Sequence, residues 1–379
     1  MEWYETEERA AFAGTAAKYA AWAGQNLPVE KFPERARPDQ FNWEIAGEAA
    51  RAGLLIAPLP ERLGGVGLDG LGRAIVLERI ARGRAGAAAI VLLHWAGLSA
   101  LALLENDPGV ASWLARFQQE SGGERPWLCG VAVPESVVDG GAGFPSSLEE
   151  SGERAILTGD WLCPLHPALA ERVVVALPAH EGEARVWWLS GKELAPFCQE
   201  AYPGTGLLEM PIARLHLHDY EAPRELILAR GDRAHEISDR IWQGLYAGLA
   251  AVTAGNAAAA AATAWEYAKV RLQTGRPIFE HQDLRRALEH LSAAAEAAWA
   301  MAVSAAAMPD SDQALDRARR AYAFSGSAGE EVCLDAIQCL GGYGYMEDYG
   351  LERRLRDQKT IQCLLGSYLS DWIGERSYY

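Results

Sequence analysis

Positive charge is scarce in this sequence. Its 379 residues carry 35 Lys and Arg against 51 Asp and Glu, a formal charge of −16. Gripping a phosphate backbone needs clustered cations, so this balance argues against a nucleic-acid partner. Cysteine is sparse as well: Cys129, Cys163, Cys198, Cys333, Cys339 and Cys363 are scattered along the chain. No two stand in C-x-x-C spacing, which excludes the common zinc and thioredoxin-like motifs and favours free thiols in a reducing, cytoplasmic setting. The start, Met1-Glu2-Trp3-Tyr4-Glu5, has no basic stretch leading into an apolar core and does not read as a signal peptide. No run is read as reaching the roughly 20 uncharged apolar residues of a membrane span. Also missing are H-E-x-x-H, G-x-S-x-G, a Walker lysine loop, EF-hand spacing and any repeat with a period of about 20–50 residues.

What is present is a globular composition, half hydrophobic and 23% charged. At about 100–200 residues per domain it accommodates two or three domains. Ala10–Trp22, Asn42–Gly53 and Gly70–Gly83 have helical composition or spacing, separated by the proline-rich stretch 33–38 and by Pro58-Leu59-Pro60 with Gly64-Gly65-Val66-Gly67. From Trp127 to about Leu228 the pattern turns to short β-branched and aromatic runs. Val131-Ala132-Val133, Ala155-Ile156-Leu157, Val173-Val174-Val175 and Val186-Trp187-Trp188-Leu189 suit an antiparallel sheet or barrel. Leu215–His218 leads out of it through Ala222-Pro223. The helical period then returns, and Ser238–Leu272, with Ala257–Ala262 inside it, predicts a long helix buried against others. The expected units are residues 1–125, 126–229 and 230–379.

Isolated features read plainly. Gly64–Gly67 follows a proline turn and no strand, so it is a structural turn and not a phosphate loop. His216 and His218 share one strand face, but no fixed acidic or Cys ligand accompanies them, so no metal site is assigned. The acidic runs Glu149-Glu150 and Glu181–Glu183 read as solvated turns. Trp187-Trp188 places one ring on each strand face, and Cys163 reads as a small core residue.

The linear order of the motifs carries more. Gly53-Leu54-Leu55-Ile56-Ala57-Pro58-Leu59-Pro60-Glu61, the glycine turn after it, and Val76-Leu77-Glu78-Arg79-Ile80-Ala81-Arg82-Gly83 resemble the N-terminal domain of the acyl-CoA dehydrogenase family. Tyr267-Ala268-Lys269-Val270-Arg271, Gly275-Arg276-Pro277-Ile278 and His281-Gln282 are similar to its third-domain signature. Asp335-Ala336-Ile337-Gln338-Cys339-Leu340-Gly341-Gly342-Tyr343-Gly344-Tyr345 and Arg356-Asp357-Gln358-Lys359 give the strongest match. The resemblance covers essentially the whole chain. It implies an α+β fold of N-terminal helices, a middle β-barrel and a C-terminal four-helix bundle, an oligomer carrying FAD, and α,β-desaturation of an acyl-CoA thioester. In that reaction a glutamate takes the α-proton while the flavin takes the β-hydride.

Against this pattern the chain departs in one direction. The usual catalytic glutamate position falls at Leu365, before Gly366-Ser367, and the alternative position on the long helix falls at or near Leu245. Leucine cannot accept a proton, so no catalytic residue is assigned. The barrel segment expected to read Thr-Glu-Pro-Gly-x-Gly-Ser is Val133-Pro134-Glu135-Ser136-Val137-Val138, and the expected Trp-x-Thr is Cys163-Pro164-Leu165. Retained are the residues that the resemblance gives to the neighbouring subunit's cofactor: Arg271, His281, Gln282, Gln338, Gly341 and Gly342, although Thr274 replaces an expected Phe. The division points to the non-catalytic subunit of a hetero-oligomer, α2β2, lending half an interfacial FAD site to a related chain. An electron-transfer flavoprotein would be the electron acceptor. The alternatives are a homo-oligomer with a relocated base (Glu236, Asp239 or Glu347) and a flavin-free binding protein on the same fold.

Overall fold

The computed structural model describes residues 6–27, 37–134, 147–177, 184–199, 205–308 and 313–365. The first helices start where the sequence supplies side-chain caps. Thr6 caps α1 (Glu7–Asn26), Asn42 caps α2 (Trp43–Arg51), Asp69 caps α3 (Gly70–Gly83) and Asp107 caps α5 (Pro108–Glu120). In each, a side-chain oxygen takes a backbone N–H that has no carbonyl of its own within the helix. The Gly64–Gly67 stretch is a turn, as read: Gly64 has φ 80° and ends the short helical turn Glu61–Leu63.

Between α3 and α5 lies α4 (Ala85–Ala102), which corrects one expectation. It is an 18-residue window of mean hydropathy 1.7 without Asp, Glu, Lys or Arg, so by length and composition alone it could span a membrane. Here 83% of it is buried in the protein, packed on α3, on the long C-terminal helix and on the sheet. A helix apolar on every side must be covered on every side, and the centre of this fold provides that cover.

The strands β1 (Cys129–Pro134), β2 (Ser147–Ser151), β3 (Arg154–Cys163), β4 (Arg172–Leu177), β5 (Arg185–Ser190), β6 (Cys198–Gln199), β7 (Ala213–Pro223) and β8 (Ile227–Arg230) form one sheet. Its order is β6-β7-β3-β1-β4-β5-β8, with β2 also on β3, and β1 and β4 run parallel amid antiparallel neighbours. Alternation sorts the side chains. Trp161, Leu215 and Leu217 of one half meet Val173, Val175 and Trp187 of the other in an inner core, so the sheet wraps on itself as a barrel. Val131, Val174 and Trp188 point outward into the helical core; Trp187 and Trp188 thus occupy opposite faces, as read.

Glu150 is no solvated turn. It sits on β2 and accepts hydrogen bonds or ion pairs from Arg185 of β5 (3.3 Å), Arg224 (2.6 Å) and Arg230 of β8. The other acidic run, Glu181–Glu183, lies outside the described residues.

The C-terminal bundle is α6 (Gly231–Val270), α7 (Gln282–Ala306), α8 (Ala314–Leu340) and α9 (Leu351–Cys363). α6, about 60 Å long at ~1.5 Å per residue, contacts α3, α4, α7, α8 and α9. Its alanines carry these contacts, with Ala257, Ala260, Ala261 and Ala264 at 0–4% exposure. α9 is pinned to the barrel by the segment 205–211. The Thr205 carbonyl accepts from Arg356, Gly206 N–H donates to Thr360 Oγ1 (2.9 Å) and Leu207 N–H to Asp357 Oδ1 (2.7 Å). Only glycine fits at 206, because a Cβ there would lie 2.2 Å from the Arg356 carbonyl oxygen.

Candidate functional site

The retained residues gather at one end of the bundle. α6 stops at Val270, and Arg271 caps it by donating its N–H to the Tyr267 carbonyl (2.9 Å). The chain then reverses in a small hairpin that pairs Leu272 with Pro277 and Gln273 with Arg276. Thr274 (φ 53°) and Gly275 (φ 81°) form its tip, and the Thr274 hydroxyl donates to the Gln273 carbonyl at 2.7 Å. Two successive positive φ values match the twist of a two-residue hairpin. Ile278 N–H returns to the Arg271 carbonyl at 2.8 Å. His281 is the N-cap residue of α7, its Nδ1 is 3.2 Å from Arg276 Nη2, and exposed Gln282 opens the helix.

The second arm is the end of α8. Gln338 is exposed on its last turn, and Gly341 (φ 58°) breaks the helix into the turn Gly341–Tyr345. The two arms meet where the Arg271 guanidinium stacks on the Tyr343 ring, 5.8 Å from its centroid. Tyr343 belongs to a three-ring cluster with Tyr267 and Tyr349, centroids 5.6–6.2 Å apart. This stack orients a permanently charged, planar fork of donors at the surface. Around it lie exposed apolar side chains: Val270 75%, Leu272 63%, Tyr345 73% and Met346 50%. A basic group inside an apolar collar is the composition of a contact surface.

The expected base positions look quite different. Leu365 follows the last turn of α9 at 2% exposure and Leu245 lies within α6 at 0%, both in the main core. Gly366 and Ser367 lie outside the described residues. Arg356 and Asp357 are structural, but with separate partners: Arg356 pairs with Glu352 (2.7 Å) and Asp357 accepts the Leu207 N–H. The proposed relocated bases sit at the surface. Glu236 is held by Arg233 and Arg240, the Arg233 hydrogen bond keeping its carboxyl below the usual range, and Asp239 and Glu347 are exposed.

One buried carboxyl escaped the sequence reading. Glu209, 5% exposed, lies 3.4 Å from the guanidinium of Arg84, itself 2% exposed. Burial, then the nearby Asp357 carboxylate, pushes Glu209 up, while burial pushes Arg84 down. The pair fastens the 205–211 segment to the start of α4. No motif marks it, because it depends on segments more than 100 residues apart.

On the barrel side, Cys163 and Leu165 are buried at 0% and 1%, and burial drives the Cys163 thiol far above its usual value. β3 ends at Cys163, so the Trp-x-small triplet that stands on the strand is Trp161-Leu162-Cys163, with Trp161 at 0% in the inner core. Val133 and Pro134 are buried; residues 135–138 lie outside the described residues. His216 binds Asp160 (2.6 Å) and His218 binds Asp219 (3.1 Å), so each histidine has its own carboxylate. Among the described residues no His, Cys, Asp or Glu cluster fits a metal.

The donor sets therefore fit a dinucleotide by halves. The bundle end offers an exposed guanidinium, exposed amides and bare glycine backbone suited to a pyrophosphate and its sugars. The described barrel side offers buried apolar side chains to a flavin ring.

Comparison with known proteins agrees with the architecture. Residues 6–117 match the family model of the acyl-CoA dehydrogenase N-terminal domain, and residues 247–368 that of the C-terminal domain. An acyl-CoA dehydrogenase of Bacillus subtilis is 27% identical over 346 residues, 87% of this chain and 88% of that protein. The caffeyl-CoA reductase-Etf complex subunit CarC of Acetobacterium woodii is 24% identical over 352 residues, 91% and 92% of the two chains. The butyryl-CoA dehydrogenase of Megasphaera elsdenii superposes with a TM-score of 0.82 at 20% identity, covering 100% of this chain and 99% of that one. Helices, barrel and bundle in this order, with the signature residues at the bundle end, place the chain in the acyl-CoA dehydrogenase family of flavoproteins.

Proposed function

We propose that this chain is the non-catalytic subunit of a hetero-oligomeric, FAD-dependent acyl-CoA dehydrogenase, an α2β2 assembly. The carrying observation is the contrast between an exposed Arg271, stacked on Tyr343 inside an apolar collar, and leucines at both base positions. Arg271 neutralises the pyrophosphate of a FAD held mainly by the partner. His281, Gln282 and Gln338 donate or accept hydrogen bonds along the dinucleotide, and Gly341 and Gly342 let the backbone approach. FAD, when bound, accepts the hydride; the proton-abstracting carboxylate belongs to the partner chain. The acyl-CoA is oxidised there, with an electron-transfer flavoprotein as electron acceptor. All six cysteines are free, which supports a reducing cytoplasmic location.

The test is native mass spectrometry with a flavin spectrum, on the chain alone and co-expressed with a related chain that carries the missing glutamate. The expected result is a colourless chain alone and a yellow complex with one FAD per unlike pair. Arg271→Ala in that complex should weaken FAD retention about 10–100-fold, the loss of one hydrogen-bonded charge. A yellow homo-oligomer with full FAD occupancy overturns the proposal in favour of a relocated base. A complex that never carries flavin leaves the fold as a binding protein.

A further inference from the structure

A cavity of about 310 Å³ lies between α3, α4, α6 and the end of α7, lined by none of the residues named for either half of the cofactor site. Its floor is apolar: Leu77, Leu92, Trp95, Ala96 and Ala247 are all below 10% exposure. Its ionisable lining consists of Arg62, Arg73 and Arg240; no carboxylate lines it. They place guanidinium N–H donors at the rim, and two of them are ion-paired with carboxylates outside the lining, so the rim is rich in donors without being a net positive patch. The guanidiniums are held in place by neighbours: Arg62 by Glu105, Arg240 by Glu236 and Arg73 by the Asp69 carbonyl. Ser99, also in the lining, has a buried hydroxyl oxygen with no hydrogen-bond partner. Neither Leu245 nor Leu365 lines the cavity, so it is not the expected reaction centre.

We infer that this cavity binds an amphipathic monocarboxylate, its alkyl chain on the Leu92–Trp95 floor and its anionic head at the Arg62–Arg73–Arg240 mouth. The volume is at the small end for ligand sites. At about 30 Å³ per heavy atom, the share of a water molecule in liquid, it holds roughly ten. That matches a medium-length chain and excludes a sterol-sized ring system. An apolar well with cationic donors at its rim rewards both ends of such a molecule, and the arginine contribution is screened by salt. The inference stands independently of the lending-subunit reading.

The probe is decanoate, titrated calorimetrically into the full chain, with octanoyl-CoA as competitor. Saturable binding that weakens several-fold between about 0.05 and 0.5 M salt is expected, since the Debye length falls across this range. Gly244 gives a clean block, because it lines the cavity and a Cβ there meets nothing within 4 Å. Gly244→Leu therefore starts its side chain in open space, directs it into the cavity and removes a helix-destabilising glycine. It should abolish decanoate binding while the chain stays folded, and Arg240→Glu at the partly exposed mouth should weaken it at least ten-fold. Three outcomes overturn the inference: no saturable binding of decanoate, binding that survives Gly244→Leu, or binding of octanoyl-CoA in the same cavity with no affinity for the free acid.

Discussion

The end of the bundle and the junction of α9 with the barrel both carry signature residues, yet one is open and the other shut. Arg271, Gln282, Gln338 and Gly341 are exposed, and exposed apolar side chains, Val270, Leu272, Tyr345 and Met346, stand among the polar ones at that end. Leu245, Leu365, Asp357 and Gln358 are buried, and every contact described for them holds the protein to itself. A signature can therefore survive for two physical reasons. At the bundle end its side chains project outward from the fold. At α9 they are struts, and Leu365 beyond its last turn is part of the packing.

The comparison is sharpened by asking where substitution costs stability. The largest effect belongs to the buried pair: Glu209→Ala strands the Arg84 charge and should cost about 3–5 kcal/mol, read from the denaturant midpoint. Arg84→Met with Glu209→Leu should recover much of it; no recovery would mean the pair does more than compensate its own burial. Next comes His94 at the helix–barrel contact. It is fully buried, its Nδ1 accepts the Cys129 N–H at 3.0 Å, and burial lowers it from 6.5 to about 4. The folded state resists protonation, so the unfolded chain binds more protons between these values. Stability then falls as pH drops from about 6.5 to about 4, by roughly 3 kcal/mol in total. His94→Gln should flatten that slope in a melting series across pH; an unchanged slope would assign the acid sensitivity elsewhere.

Smaller is Asp357→Ala, which removes a charge-assisted acceptor from the Leu207 N–H and should cost about 1.5–3 kcal/mol. Protease cutting near residue 205 would rise if the segment detaches from α9. The smallest effect is expected at the open end: Arg271→Ala should change the stability of the isolated chain by no more than ~0.5 kcal/mol. Equal costs for Arg271→Ala and Glu209→Ala would break the distinction between projecting and packing residues.

Local signals explain what the sequence made legible. α3 occupies Gly70–Gly83 as its spacing predicts, because Asp69 caps it and its apolar face is regular. The strands containing Val131, Ala155, Val173 and Val186 were likewise marked by β-branched runs bounded by turns. The residues proposed to contact the cofactor were visible only through their family order; spacing alone does not say that Arg271 would stack on Tyr343. α4 went unrecognised as a span-length apolar run, and only its surroundings show why it is buried. Glu150, Glu209 and Trp161 took their roles from segments distant in the chain, information no local window contains. The long helix reads to Leu272 but ends at Val270, where Thr274 and Gly275 need a hairpin tip.

The barrel's ladder runs unbroken from β6 to β8, with β2 attached to β3 away from the β5–β8 end. Among the described residues, what joins β2 to β5 and β8 is a single carboxylate, Glu150, facing Arg185, Arg224 and Arg230. Chiefly the Arg230 hydrogen bond holds that carboxyl below its usual range. Concentrated salt or strong acid weakens this seam while leaving the ladders untouched, and without Glu150 three like charges confront one another across it. At this seam the barrel is held by a titratable latch.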